Sequence, residues 1–413
     1  MLVYIGIDDT DSHRGGCTTY VGYTLVKEIL KKYGDILADY PRLIRLNPYV
    51  PFKTRGNAAV ALVLDVPEGT EEDIWELAVK VVSEGADLTG KTSPGIAMAV
   101  GPVSERAKRV YRLALSQIVP RSVVERVEGV RTWGGRGVIG AVAAIGAELP
   151  TSTFELLAYR EGERPPISPR LVAAMEALTY PFTFHNLDGR RVLIEPRGPD
   201  PVLYGIRGLS PPHLIYAARF LEENGVKAAG WILYRTNQAT DAHVELGVLP
   251  DRPLPYSVYK TRALVLWAER RKRHVFAGLS NGLVAVAYRH LGKLATALER
   301  CVGCYVELRG GVKPRGGGLY LYVESMEVIY RLVRIPPRCP YCGGSLESLG
   351  RGKGRRCTKC GTVFRSVEIR YALSTAERGY YVPRPGEWRH LFKPPGLEPK
   401  PIELAGKAEG WIK

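Results

Sequence analysis

Short apolar blocks alternate with polar ones along most of the chain, and their periods predict its elements. Leu2 to Ile7 is an apolar run of strand formers that stops at three carboxylates, Asp8, Asp9 and Asp11. Behind it, Val21, Leu25, Ile29 and Leu30 recur at helical spacing, which predicts a helix over 19–33. Strands follow near Ile36–Leu46, Ala58–Asp65 and Ile96–Val100, with helices after Pro67 and from Ser104 to Ile118. Residues 1–128 therefore read as an α/β domain. A Gly-rich loop, Arg131 to Gly140, leads into a small-residue helix at Ala141–Leu149 and marks a boundary and a possible site wall. Strand Thr153–Tyr159, helix Ser168–Leu178, strands Phe182–Asn186 and Arg191–Glu195, helix Pro211–Asn224 and strand Ala228–Tyr234 then spell β-α-β-β-α-β. That order predicts a ferredoxin-like domain over 129–252.

Pro250, Pro253 and Pro255 mark a linker. Beyond it lie β segments at Ala263–Trp267, His274–Leu279, Leu283–Tyr288, Cys304–Leu308 and Leu319–Leu332, with a helix, His290–Glu299, after the third. Five strands with a helix in that place predict an OB-fold barrel over 257–334. Cys339-x-x-Cys342 and Cys357-x-x-Cys360, fourteen residues apart, provide four thiolates for a closed, structural Zn²⁺ site, so 335–375 reads as a zinc ribbon. A Pro-rich tail, 376–413, ends a multidomain α+β chain. Cys301-x-x-Cys304 has no second pair nearby and reads as small core residues or a disulfide rather than a metal knuckle.

Charge changes the picture most in the rear half. The 413 residues carry a net +16, yet Asp251–Lys413 holds 30 Lys and Arg against 13 Asp and Glu, leaving 28 against 29 ahead of it. The basic excess thus belongs to the barrel and ribbon, an electrostatic footprint for nucleic acid. Arg271, Lys272, Arg273, Lys313 and Arg315 in barrel loops, with Lys353, Arg355 and Arg356 in the ribbon, are the candidate RNA contacts. No apolar run approaches the roughly 20 residues of a membrane span, and the opening run lacks the basic start of a signal peptide, so the cytoplasm is expected.

The front half carries the candidate chemistry. Clustered carboxylates repel one another unless a cation joins them, and Mg²⁺ suits them, as it is held by one or two carboxylates plus substrate phosphates. Gly15 and Gly16 free the backbone to approach a phosphate, and Cys17, Thr18 and Thr19 open a helix whose N-terminus favours anions. An Mg²⁺-nucleotide site with phosphoryl-transfer chemistry is the leading reading, an acidic solvated turn the bland one. Lys53 and Arg55 precede a strand. Lys91 stands in Gly-Lys-Thr-Ser, which lacks the earlier glycine of a P-loop and is no Walker motif, though it can line a nucleotide.

The run Gly6-Ile-Asp-Asp-Thr-Asp-Ser-x-x-Gly-Gly-Cys-Thr-Thr19 resembles the signature of the archaeal 2-agmatinylcytidine synthetases, as do Lys53-Thr-Arg-Gly-Asn-Ala58, Asp200-Pro-Val-x-x-Gly-Ile-Arg-Gly208 and Arg235-Thr-Asn-Gln-x-Thr-Asp-x-His243. The resemblance implies that residues 1–128 are a kinase-like domain using ATP and Mg²⁺. It also implies that agmatine is attached to the wobble cytidine of the minor isoleucine tRNA, with AMP and pyrophosphate released. Asp8, Asp9 and Asp11 become metal ligands, any of them doubling as base, and Thr18 the threonine that is phosphorylated. Lys53, Arg55 and Lys91 become phosphate contacts. Agmatine, an amine joined to a guanidinium, calls for acceptors, and Asp200 and Asp241 are the expected ones, with Asn237 beside them. His243 is either a contact or a hydrogen-bonded structural histidine. A monomer is expected. The rival is a non-enzymatic single-strand-binding protein, which accounts for 251–413 but leaves the aspartate loop without a role. A small-molecule kinase leaves the rear half without one.

Overall fold

A computed structural model describes residues 1–11, 16–53, 56–87, 92–245, 249–401 and 406–413. The chain forms two compact units. One is Met1–Tyr259 with Gly311–Pro314 and Arg384–Lys413; the other is Lys260–Gly310 with Arg315–Pro383. Among the described residues no helix is long and apolar enough to cross a membrane.

The first unit is built on strands β1 (Leu2–Asp8), β2 (Arg42–Arg45), β3 (Ala58–Asp65), β4 (Gly95–Val100), β5 (Val130–Gly134), β6 (Thr153–Tyr159) and β7 (Thr183–Phe184). A small hairpin, β8 (Leu187–Asp188) and β9 (Arg191–Val192), precedes β10 (Val202–Gly208) and β11 (Gly230–Thr236). Its helices are α1 (Thr18–Tyr33), α2 (Glu71–Gly85), α3 (Glu105–Ser116), α4 (Arg121–Val124), α5 (Val138–Ile145), α6 (Pro169–Thr179), α7 (Pro211–Glu223) and α8 (Ala242–Glu245). Nine strands make one sheet in the order β5-β4-β1-β3-β2-β11-β6-β10-β7.

That order contains the same unit twice. In β1-α1-β2-β3-α2-β4 and in β6-α6-β7-β10-α7-β11 the strands lie fourth, first, third, second. The two copies join where β2 pairs parallel to β11, with Arg42 opposite Arg235; every other pairing in the sheet is antiparallel.

Side-chain size decides how the two faces are covered. On β3 and β4, Val60, Leu62, Ile96 and Met98 point to the face that α1 and α2 cover, and α6 and α7 cover the same face of the second copy. The alternate positions, Ala59, Ala61, Ala97 and Ala99, face α3 and α5. Alanines on that side let α5, itself apolar all round, lie almost against the backbone. A Cβ on Gly6 would stand 2.2 Å from the Ala141 carbonyl oxygen. On the second copy the same face carries Glu155 on β6, with Arg207 opposite it on β10. Among the described residues no long helix covers these, and they line a cavity.

Residues after Arg384 return to the first unit. Ala239 N–H donates to the His390 carbonyl, Asp241 N–H to that of Leu391, and Tyr23 Oη to that of Lys413 at 2.6 Å. Leu391, Phe392 and Trp411 are buried there.

The second unit holds a barrel of β12 (Val258–Arg271), β13 (His274–Leu279), β14 (Val284–Ala287), β15 (Cys304–Arg315) and β16 (Gly318–Ile335), of which the start of β12 and the stretch Gly311–Pro314 of β15 belong to the first unit. The strands run β14-β13-β12-β15-β16, and parallel pairing of β14 with β16 closes the ring. Helix α9 (Lys293–Arg300) lies between the third and fourth strands and buries Leu294, Ala295 and Leu298. The ribbon follows, with β17 (Leu346–Ser348), β18 (Arg355–Cys357) and β19 (Val363–Phe364), and then β20 (Arg370–Ser374) and β21 (Gly379–Tyr381) pair with β16.

Candidate functional site

Two cavities meet at the head of α1. The first, about 120 Å³, is lined by Asp8, Asp9, Asp11, Lys53, Arg136, Gly137 and Gly140, with an apolar side of Leu46, Val50, Phe52, Ile118 and Ile139. Strand β1 delivers Asp8 to its rim, and glycines make the room. A Cβ on Gly140 would stand 1.8 Å from Asp8 Oδ2, and one on Gly137 2.6 Å from the Asp8 carbonyl oxygen. Burial pushes the Asp8 carboxyl well above its ordinary range; the charges of Asp9 and Asp11 push the same way, against a backbone hydrogen bond and Arg136. Asp9, in left-handed backbone (φ 55°), takes a hydrogen bond from Arg136 Nη2 at 2.7 Å; burial still lifts its pKa.

Asp11 turns the other way. Its Oδ1 accepts the Thr18 N–H at 2.8 Å and lies 3.3 Å from the Thr18 hydroxyl, so it caps α1 from a distance in sequence. Thr18 Oγ1, nearly buried, also accepts from the Thr10 hydroxyl at 3.1 Å. Thr92 donates to the Asp11 carbonyl at 2.7 Å. Cys17 Sγ lies 2.8 Å from the Thr19 hydroxyl, and burial pushes its thiol up to about 12. The three aspartates thus share one cavity without closing on a single point. Among the described residues, only Cys339, Cys342, Cys357 and Cys360 gather three or more metal-type ligands within 4.8 Å. Gly15, Arg55 and Lys91 lie outside the described residues.

The second cavity, about 720 Å³, is within the range of small-molecule sites. Asp11, Thr18 and Thr19 form one end, Glu195 and Asp200 another wall, and Glu155, Arg45, Arg207, His185 and His390 the floor and side. Asp11 lines both cavities.

Glu155 anchors the floor. Its carboxylate pairs with Arg207 Nε at 3.1 Å and Arg45 Nη2 at 3.3 Å, and Gln238 Nε2 donates to it. Burial works against its ionisation, but the charges of Arg207 and Arg45 and the Gln238 hydrogen bond outweigh it, so its pKa lies below the ordinary value. Arg207 Nη1 donates to His185 Nδ1 at 2.7 Å, which leaves the His185 Nε2 proton for the Pro385 carbonyl at 2.7 Å. Burial, then Arg207, lowers His185 to about 3. Burial and the charges of Arg45 and Arg207 hold His390 well below its usual value. Both imidazoles are neutral.

Of the residues expected to meet agmatine, Asp200 lines this cavity, with Oδ1 paired to Arg164 at 3.0 Å. Asn237 and Asp241 do not line it. Asn237 grips the Arg45 backbone, accepting from its N–H at 2.8 Å and donating to its carbonyl at 2.9 Å. Asp241 takes the Lys393 N–H at 2.7 Å. The Arg-Thr-Asn-Gln motif thus holds Arg45 and the returning tail, and His243 is fully buried beside it. Sequence reasoning overlooked Arg45, Arg136, Glu155, His185 and His390 as site residues. Arg136 and Arg207 stand inside motifs already singled out; Glu155, a charge within an apolar strand, was the sharpest unread signal.

In the second unit, Lys272 and Arg273 form the two-residue tip between β12 and β13. Arg271 and Arg315 lie over the Phe276 ring, at 5.6 and 5.1 Å. Tyr288 stacks with His290 and packs against Tyr322 on the same barrel. Lys313, within the first unit, lies 5.3 Å from the Tyr49 ring centre. In the ribbon Cys339 and Cys360 sulfurs are 3.6 Å apart and those of Cys342 and Cys357 3.5 Å, as four thiolates around one tetrahedral Zn²⁺ require. Burial lifts Cys301 and Cys304, both free thiols outside that group. Lys353 and Arg356 are exposed, while Arg355 reaches back to the Leu346 carbonyl.

Comparison with known proteins agrees with this layout. Family models for the TiaS TCKD domain, the TiaS FLD domain and the TiaS C-terminal zinc ribbon domain match residues 4–87, 135–243 and 336–372. TiaS of Pyrobaculum neutrophilum, the 2-agmatinylcytidine synthetase of isoleucine tRNA 2, is 63% identical over 415 residues, covering 100% of both chains. The enzyme of the same name from Caldivirga maquilingensis is 40% identical, covering 95% of each. The crystal structure of a complex of TiaS with isoleucine tRNA 2 and ATP superposes with a TM-score of 0.78 at 31% identity, covering 98% of this chain and 99% of that one. A complex of TiaS with the same tRNA, AMPCPP and agmatine gives 0.77 at 28% identity, with the same coverage. The chain belongs to the TiaS family of isoleucine tRNA 2-agmatinylcytidine synthetases.

Proposed function

We propose that this chain uses ATP to join agmatine to the wobble cytidine of the minor isoleucine tRNA (anticodon CAU), giving 2-agmatinylcytidine, with ATP as the source of the phosphoryl group that activates the cytidine oxygen. The observation that carries this reading is the meeting of two cavities at Asp11, whose carboxylate holds Thr18 of the second, one cavity acidic and glycine-walled, the other large enough for a nucleobase and an amine.

The first cavity is the nucleotide site. Phosphates lie toward Lys53 and, where the cavity reaches the second one at Asp11, toward the N–H groups of Gly16, Cys17 and Thr19 that open the sixteen-residue helix α1. The apolar side around Phe52 and Ile118 takes the base. Asp8 and Asp9, held above their ordinary pKa by burial, together with Asp11 would hold Mg²⁺, which supplies charge neutralisation at the phosphates. Gly15, Arg55 and Lys91 complete this assignment by their place in the sequence.

In the second cavity the cytidine O2 is phosphorylated, which turns a poor leaving oxygen into phosphate. The primary amine of agmatine adds at C2, the phosphate departs with that oxygen, and the amine nitrogen gives up its proton. Thr18, whose hydroxyl is held between Asp11 and Thr10, is the threonine that takes a phosphoryl group. Asp200 and Glu195 offer acceptors to the guanidinium; Asn237 and Asp241 act one step back, through Arg45 and the tail.

The twofold order fourth-first-third-second supports naming both halves of the sheet ferredoxin-like, the front copy serving as the kinase-like domain. Closure through β14–β16 with α9 ahead of the fourth strand supports the OB-fold reading of the barrel. Its stacked aromatics and cations, with the ribbon's basic loop, suit an RNA strand whose target base leaves the stack at a cost of a few kcal/mol.

The test is nucleoside mass analysis of this tRNA after incubation with the protein, ATP and agmatine. A cytidine heavier by agmatine minus water is expected, and Thr18→Ala should abolish it. An unmodified cytidine with the intact protein would defeat the reading.

A further inference from the structure

The wall of the second cavity from Glu195 to Pro201 belongs to no strand, and its sequence explains why. Pro196-Arg197-Gly198-Pro199-Asp200-Pro201 has three prolines in six residues, so half of its peptide nitrogens carry no hydrogen while every carbonyl stays an acceptor. Such a segment cannot pair in a ladder and lacks the donors to hold its own shape. Arg164 is its chemical complement, since a guanidinium offers five N–H donors and no acceptor. All five are spent on this wall. Nε donates to the Val202 carbonyl at 3.0 Å, and Nη1 to those of Pro196 at 3.1 Å and Gly198 at 3.0 Å. Nη2 donates to the Asp200 carbonyl at 2.7 Å and to Asp200 Oδ1 at 3.0 Å. Alternate carbonyls of the segment thus turn to one side chain. Two backbone bonds fasten the same stretch, from Ile167 N–H to Glu195 Oε1 at 2.5 Å and from Arg160 N–H to the Pro201 carbonyl at 2.9 Å.

Pro196, Gly198, Asp200 and Val202 line the cavity, whereas Arg164 stands behind them and does not. Asp200 is fixed twice over, through its own carbonyl and through one carboxylate oxygen, so its side chain is set before any ligand enters. We propose that Arg164 is a positioning residue for the amine substrate: it shapes the wall that receives the guanidinium of agmatine without touching agmatine itself. The assignment rests on the function proposed above, in which Glu195 and Asp200 meet that guanidinium. A wall already ordered binds without the cost of ordering, so losing Arg164 falls on agmatine affinity and spares the chemistry at the Thr18 end. Lysine cannot replace it. A single ammonium has the charge, but its three donors on one nitrogen cannot span carbonyls from residue 196 to residue 202.

Steady-state rates of cytidine modification are read for the full chain and for Arg164→Ala and Arg164→Lys, with agmatine, ATP and tRNA varied in turn. Inhibition by butylguanidine, which has the guanidinium and no amine, is measured alongside. The expected result is a KM for agmatine raised about tenfold in both variants, with butylguanidine inhibition weakened by the same factor. The values of kcat and of KM for ATP and tRNA stay at those of the wild type. Added guanidinium ion, which can refill the emptied cradle, should lower the agmatine KM of Arg164→Ala, whereas in the wild type it only competes. Arg164→Lys carries the KM comparison if the alanine variant does not fold. An unchanged agmatine KM, a loss shared by ATP, tRNA or kcat, unaltered butylguanidine inhibition, or a folded Arg164→Ala that guanidinium does not rescue would overturn the proposal. Absence of modification by the wild-type chain would overturn the functional reading instead.

Discussion

The two cavities solve opposite electrostatic problems. In the first, three carboxylates meet one paired guanidinium, Arg136, and burial drives the Asp8 and Asp9 pKa upward. On the floor of the second, the Glu155 carboxylate is shared by two guanidiniums, and two histidines are held neutral. The first leaves acidic charge to be answered from outside the protein. The floor of the second, whose charges answer one another, is a finished scaffold. The first therefore gains from its ligands, and the second from its own contacts.

The contrast breaks most sharply at Asp8. Asp8→Asn should lower the rate of tRNA modification by about 10³-fold, as loss of several kcal/mol of charge stabilisation implies. The same change should raise the melting temperature measured without divalent ions, because a carboxyl whose pKa is raised by burial opposes folding when charged. A lower melting temperature would place Asp8 among the structural charges instead. Glu155→Gln should do the reverse, leaving Arg45 and Arg207 unanswered and costing about 3–5 kcal/mol in denaturant unfolding.

Acid separates the cavities further. A histidine whose folded pKa is depressed stabilises the fold above its ordinary value near 6.5 and loses that contribution as pH falls below it. With His185 lowered to about 3, and His390 lowered as well, melting temperature should drop steadily between pH 7 and pH 5. Asp8 and Asp9 push the other way over that range, so Asp8→Asn should steepen the drop. The smallest effect belongs outside both cavities. Lys353→Ala should reduce the salt dependence of tRNA binding by about one unit of log-log slope and leave the KM for ATP and agmatine alone.

What could be read from residues alone follows the range of the interactions. The aspartate loop and the two cysteine knuckles are local, with the chemistry concentrated in a few neighbouring positions. The apolar periods find all five barrel strands, and His274–Leu279 coincides with the observed one, but β12 and β15 run well past the expected Ala263–Trp267 and Cys304–Leu308. Strands Arg370–Ser374 and Gly379–Tyr381, which join the barrel, fell where a ribbon end and a tail were expected, and two strands of the large sheet escaped. Val130–Gly134 carries a glycine at φ 100°, and Val202–Gly208 holds two glycines and an arginine, so both read as loop or motif. The second has its glycine for a reason: a Cβ on Gly205 would lie 3.2 Å from Glu155 Oε1. The Glu155 cluster itself was out of reach, since Arg45 stands 110 residues before it and His390 enters from the tail. Nothing in local composition reports a contact made across the sheet. The parallel seam between β2 and β11 hides in the same way, because it joins halves that each look self-sufficient.

His390 and its neighbours have a temporal consequence. A ribosome makes them after the barrel and the ribbon, so the wall of the larger cavity is the last piece to arrive, long after its floor at Glu155. Until then the nascent front half can form the smaller cavity but not close the larger one. Loop closure over so long a span costs only slowly growing entropy, yet it must await synthesis. The order of translation thereby makes the larger cavity the later of the two to be completed.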